Sequence, residues 1–288
     1  MIKKIKSFVK KYGVFRIRNN TLFKLNKSYK VFLHLKKKYG HILNKNYPYA
    51  YEVPANKVWF CWLQGLENAP ELVKSCYDYL IKNLKDKEII LVTEDNFRNY
   101  TNIPEFIIEK WKKGIISNTH FSDILRLELL AKNGGAWVDS TVLFTADIPN
   151  YINKSDFFVF SCEYRNDEAI SLSSWFIYSS KNHPVTLATR DMIYEYWKNN
   201  NKLIHYFLLH MFMTMAMEKF SNLIENMPFI SNINPHVMQF KYLFKPYDEE
   251  TANFIKSTCF AHKLSYKFDK ELINLSETHY RAIIERKF

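Results

Sequence analysis

Apolar side chains along the chain follow two rhythms. Ile2, Ile5 and Val9 are spaced three and four apart, and Leu22, Leu25, Tyr29 and Phe32 repeat that spacing, with Tyr39 and Ile42 further on. This predicts an amphipathic helical arm over residues 1–46. Pro48 and Pro54 end it. Residues 57–62 are then a short run of β-formers. Pro70 opens a helix bearing Leu72, Val73, Cys76, Tyr77, Leu80 and Leu84, and residues 88–93 read as a buried strand. Strand, helix and strand in so short a span form a βαβ unit, which implies a parallel sheet with a right-handed crossover. Helices follow over residues 105–113 and 118–132. Strands are expected at 136–143, 156–162 and 174–178, and helices at 184–199 and 203–220. The last 65 residues have only weak periodicity. The expected fold class is an α/β sandwich with a mostly parallel central sheet, preceded by a helical arm over residues 1–50, with residues 51–288 as one domain.

Charge sharpens that division. Residues 1–50 hold 14 Lys and Arg and no Asp or Glu, whereas the remainder holds 27 basic and all 29 acidic side chains. The whole net charge of +12 therefore lies in the arm. A nearly neutral body argues against nucleic acid as a partner. The arm reads either as a helix on an anionic membrane surface or as a packing element with a solvated lysine face. The four cysteines have no CxxC spacing, which suits neither a zinc ribbon nor a disulfide framework. Lysines interrupt any signal-peptide core, so a cytoplasmic setting is expected.

In parallel sheets ligands collect at the carboxyl ends of strands. Three features fall there: Trp62-Leu-Gln64-Gly65, Thr93-Glu-Asp-Asn96 and Asp139-Ser-Thr141. The helix over 118–132 is apolar in nearly every direction, yet it carries Asp123 and Arg126 about 60° apart on its wheel. Buried charge must be paired. These two either fasten the helix as an i,i+3 ion pair or face a wet pocket and hold the hydroxyls of a ribose or sugar. Gly134 and Gly135 cap the helix and permit close approach of backbone to a ligand. Trp137 and Val138 then deliver Asp139 at a strand tip, where a carboxylate can hold a divalent cation against a diphosphate.

These residues resemble a known family. His120-Phe-Ser-Asp-Ile-Leu-Arg126, followed by Gly134-Gly-Ala-Trp-Val-Asp139-Ser-Thr141, is similar to the capsular polysaccharide synthesis branch of glycosyltransferase family 32 and, more distantly, to clostridial glucosylating toxins. Residues 57–65, Trp175-Phe-Ile, Tyr206-Phe-Leu-Leu-His210 and His262-Lys-Leu-Ser-Tyr-Lys267 support the match. The resemblance implies a GT-A fold that moves a sugar from a nucleotide-sugar donor, usually UDP-linked, with retention of configuration. The acceptor it implies is a lipid-linked saccharide at the inner face of the cell membrane, which the basic arm would approach peripherally. Carried over by position, Trp62 abuts the base. Gln64, Gly65, Thr93, Gly135 and Trp137 complete the nucleotide-sugar side. Asp123 and Arg126 touch ribose or sugar, and Asp139 is the first carboxylate of a DxD motif for Mn2+ or Mg2+. Thr141 stands where the second carboxylate usually does, so His262 is expected to complete the metal shell, with Lys263 near the phosphates. Trp175, Tyr206 and His210 are expected on the acceptor side. The competing expectation, raised by Thr141, is a catalytically inactive sugar-nucleotide-binding or scaffold protein of the same fold.

Overall fold

The computed structural model describes residues 15–162 and 168–288, with side chains from residue 27 onward. Helix α1 spans Phe15–Tyr39, and strand β1 (Lys57–Cys61), helix α2 (Glu71–Asn83) and strand β2 (Glu88–Val92) form the expected βαβ unit. Helices α3 (Glu105–Lys112) and α4 (Asn118–Asn133) lead into β3 (Gly135–Val138). After β4 (Val142–Phe144), strands β5 (Phe157–Ser161) and β6 (Leu172–Ser179) complete the main sheet, followed by α5 (Pro184–Asn199), α6 (Leu208–Lys219) and a short β7 (Ala261–Lys263).

The five-stranded sheet has the order β2-β1-β3-β6-β5. β1 runs parallel to both β2 and β3, and β6 lies antiparallel between β3 and β5. Four strands thus share one direction and β6 alone is reversed, a mixed α/β architecture with a mostly parallel sheet. β3, β5 and β6 are buried along their whole length, as expected of strands covered on both faces. A two-stranded antiparallel ribbon, β4-β7, stands beside the main sheet.

Three expected elements are drawn differently. The strand over 136–143 is two strands in two sheets, because the chain turns at Asp139. The helix expected from 203 begins at Leu208. The C-terminal segment, weakly periodic in sequence, contributes β7 and short helices that pack as a third cluster around Leu143, Leu264 and Ile283.

The expected arm divides at its midpoint. Residues 1–14 lie outside the described residues. From residue 27 onward the apolar stripe of α1 faces the body: Phe32, Leu35, Tyr39 and, just beyond, Ile42 and Leu43 are buried in the main core cluster. Tyr39 packs edge-on against Phe212 of α6 at 5.5 Å, and Asn200 donates to its hydroxyl at 2.9 Å. Lys37 and Lys38 face outward, and Lys36, also exposed, pairs with Glu218 of α6. Of the two readings of the arm, packing is therefore what residues 32–43 do. No described helix is long and apolar enough to cross a membrane.

Two predictions follow from this packing. Leu35 has no exposed surface, so Leu35→Ala should cost about 2–4 kcal/mol through lost burial and the cavity left behind. Urea unfolding with an unchanged slope would check it. The second concerns pH. His183 and His262 are wholly buried, and burial pushes each imidazole down to about 4. In the unfolded chain they ionise near 6.5. The fold thus binds fewer protons than the unfolded chain between these values, so their contribution is complete above about pH 6.5 and is lost as pH falls towards 4, of the order of 3 kcal/mol each. The Tm should fall between pH 7 and 4.5, and His262→Gln should flatten the slope.

Candidate functional site

The carboxyl ends of β1 and β3 lie side by side, and Trp62 and Asp139 follow them directly. Ser117 caps α4 by accepting from the His120 amide. The helix then runs buried beside β3, which brings Asp123 and Arg126 to the same edge. Their pairing is direct: Arg126 Nη2 lies 3.1 Å from Asp123 Oδ1 and 3.2 Å from Asp139 Oδ1. The other N–H groups of Arg126 meet Ser122 and Ser174, and its guanidinium lies 5.0 Å from the Trp137 ring centre. With every donor engaged, Arg126 holds its neighbours in place. The opposite oxygen of Asp123 meets His120 Nδ1 at 3.1 Å.

Asp139 is the hub. Its amide donates to the Trp175 carbonyl at 2.8 Å, tying the turn to β6. Trp137 Nε1 donates to Oδ1 at 2.9 Å, and Lys263 Nζ donates to Oδ2 at 3.2 Å. Burial pushes the carboxyl upward, but the charges of Arg126 and Lys263 and the hydrogen bonds from Trp137 and Lys263 outweigh it, so Asp139 titrates below the usual carboxylate range. It is ionised at neutral pH.

Two cavities meet at this hub. The larger, about 630 Å³, is bordered by Trp62, Gln64, Trp137, Thr141 and Tyr266; the smaller, about 340 Å³, by Asp123, Trp175, His210 and Asn232. Arg126, Asp139, Lys263 and Tyr206 border both. Trp62 and Tyr266 meet edge-on at 5.6 Å, and the Trp62 indole N–H finds no acceptor among the described residues. Trp59, by contrast, is wholly buried and donates to the Gly134 carbonyl, so alternation along β1 assigns the two tryptophans to opposite faces.

Some expected site residues stand elsewhere. Thr93 and Gly65 border neither cavity. Gly135 does not make room for a ligand: at φ +102°, a Cβ there would lie 2.4 Å from the Lys57 carbonyl oxygen, so the glycine serves the close approach of β3 to β1. Tyr206 precedes α6 and His210 lies within it, so they do not share one helix face, although both border the smaller cavity. His262 needs correction as a partner of Asp139. It sits opposite Leu143 in the β4-β7 ribbon, wholly buried, with Nε2 3.3 Å from the Thr145 hydroxyl. Side chains alternate along a strand, so Lys263 faces the cavities and His262 faces away. Tyr266, His236 and Phe240 border the larger cavity without having been singled out as site residues. Phe240 lies in a π-helical turn, Met238–Tyr242, a local feature with no clear sequence signature.

A divalent cation fits this donor set poorly. Such ions want several hard oxygen ligands. Here Asp139 has a cation on each oxygen, Asp123 is held between Arg126 and His120, and the Thr141 hydroxyl accepts from Lys263 at 2.6 Å. Among the described residues, no three His, Cys, Asp or Glu side chains group so as to hold a metal ion. All four cysteines are buried, and burial pushes the Cys61 thiol, beside the larger cavity, up to about 12.

A paired charge cluster at the carboxyl edge of a mixed sheet, opening into two joined cavities, has the placement and shape of a candidate small-molecule site in α/β proteins. The profile of the family described as "Capsular polysaccharide synthesis protein" matches residues 11–283, and the chain belongs to that family. No curated protein sequence matches it. Among seven solved chains that match, one described as "PaToxG Glycosyltransferase" is similar at 16% identity with a TM-score of 0.39, covering 72% of this chain and 83% of that one. That likeness is too loose to transfer any residue's role.

Proposed function

We propose that the protein is a glycosyltransferase of surface-polysaccharide synthesis. The observation that carries this reading is the junction of the two cavities at Asp139 and Lys263. The larger cavity falls within the range of small-ligand sites. It offers aromatic surface at Trp62, with Tyr266 edge-on beside it, suited to a base. The Lys263 ammonium at the junction suits a diphosphate. A donor laid in this way, UDP-linked by resemblance, directs its sugar past Asp123 into the smaller cavity. There Trp175, Tyr206 and His210 border the space for an acceptor hydroxyl.

Transfer with retention needs no protein base in this arrangement. The bond from the anomeric carbon to the diphosphate oxygen breaks, and the acceptor oxygen bonds to that carbon from the same face. The departing diphosphate takes the acceptor proton. The site stabilises the charge growing on the leaving group. Arg126 keeps Asp139 in position, and Asp139 in turn holds Lys263 beside the leaving group. Asp139→Asn should lower donor turnover at least 100-fold while retaining the fold. Wild-type turnover of a panel of UDP-sugars by the folded variant would refute the assignment.

The same reading places the acceptor on a lipid carrier, with the protein peripheral on the inner face of the membrane. The lysines of α1 that face away from the body, together with five more in residues 1–14, support an attraction to anionic lipid. Each contributes roughly 1 kcal/mol near such a surface. Deleting residues 1–14 leaves the packed stripe of α1 intact and should weaken binding to anionic vesicles at least tenfold at low salt. Equal binding of the shortened protein would remove the membrane part and leave the enzyme standing.

A further inference from the structure

The position of Lys263 is set by backbone geometry. Val142 and Lys263 are register partners in the β4-β7 ribbon, and the Leu264 amide donates to the Thr141 carbonyl at 2.9 Å. The ammonium consequently spans the two side chains of the Asp139-x-Thr141 turn, 3.2 Å from Asp139 Oδ2 and 2.6 Å from Thr141 Oγ1. An ion bound to the side chains of residues 139 and 141 would compete with Lys263 for the same oxygens. Threonine at 141 is what makes the arrangement self-consistent. A hydroxyl accepts from an ammonium without adding charge, whereas it is a weak substitute for a carboxylate on a divalent ion.

Counting donors and charges extends the point. An ammonium has three N–H donors, and two are committed here. The third remains for an anion in the cavities that Lys263 borders. Arg126 already occupies the other oxygen of Asp139. A divalent ion reaching this carboxylate would have to displace the ammonium or sit against it, and like charges a few ångströms apart in a partly buried site repel strongly.

We infer that the Lys263 ammonium, braced by Asp139 and Thr141, is this protein's built-in cation for the donor diphosphate, and that nucleotide binding and sugar transfer proceed without a divalent metal. The inference rests on the glycosyltransferase reading. Lys263 donates a hydrogen bond to the oxygen that receives the electron pair of the breaking sugar–phosphate bond, and the acceptor's proton ends on the diphosphate.

The test uses the full chain and UDP as probe, with calorimetric affinity measured in EDTA and in millimolar Mn2+, followed by turnover of UDP-sugars under both conditions. UDP should bind within threefold under the two conditions, and turnover should survive EDTA. Lys263→Met should lose at least tenfold in UDP affinity in EDTA, and Lys263→Arg should recover most of that loss, a rescue that a purely packing role would not produce. A Thr141→Asp, Lys263→Ala double variant should bind UDP at least tenfold more tightly in Mn2+ than in EDTA. A tenfold loss for the wild-type protein in EDTA, or unchanged affinity of folded Lys263→Met in EDTA, overturns the inference while leaving the transferase reading in place. Absence of UDP binding under either condition overturns both.

Discussion

A carboxylate gripped from both sides by cations is the constraint around which this molecule's working edge is arranged. An ionised group removed from water must find opposite charge or hydrogen-bond donors, or it will take up a proton. Asp139 finds both: Arg126 and Trp137 on one oxygen, Lys263 on the other. Each partner arrives from a different element. α4 brings Arg126, β3 brings Trp137, and β7, distant in sequence, brings Lys263. β6 contributes the Ser174 contacts that lock Arg126 and the Trp175 carbonyl that fixes the turn. Disturbing any of these elements therefore disturbs the charge balance at the junction of the two cavities.

Much of the frame was legible because periodicity reports burial. The βαβ unit, the all-round apolar α4 and the helix starting at Pro184 announce themselves through spacing and breakers. The convergence of Trp62, Asp123, Arg126 and Asp139 was legible for a related reason: parallel strands put their carboxyl ends on one edge, and charge inside an apolar helix demands a partner. For Asp123 and Arg126 the structure shows the i,i+3 ion pair, and both residues also border the smaller cavity.

What the sequence concealed depends on register and distant pairing. The choice between His262 and Lys263 hangs on which residue of β7 opposes Leu143, and a one-residue shift exchanges their faces. Gly135 looks the same whether it admits a ligand or a neighbouring strand, and only the Lys57 carbonyl distinguishes them. The turn at Asp139 lies within a run of β-formers, where pattern alone carries no reason to change sheets. His236 and Phe240 sit in a segment whose helical turns are too short to show a period.

The docking of α1 has a consequence for biogenesis. Its inward stripe closes on α6, reached some 170 to 180 residues later; the Lys36–Glu218 ion pair spans that gap. During synthesis this stripe has no cover until residues 184–219 have emerged. Throughout that interval the growing polypeptide carries an unsheltered, positively charged amphipathic segment. Its docking therefore waits on the body, and the order in which the chain is made sets how long this apolar face stays exposed.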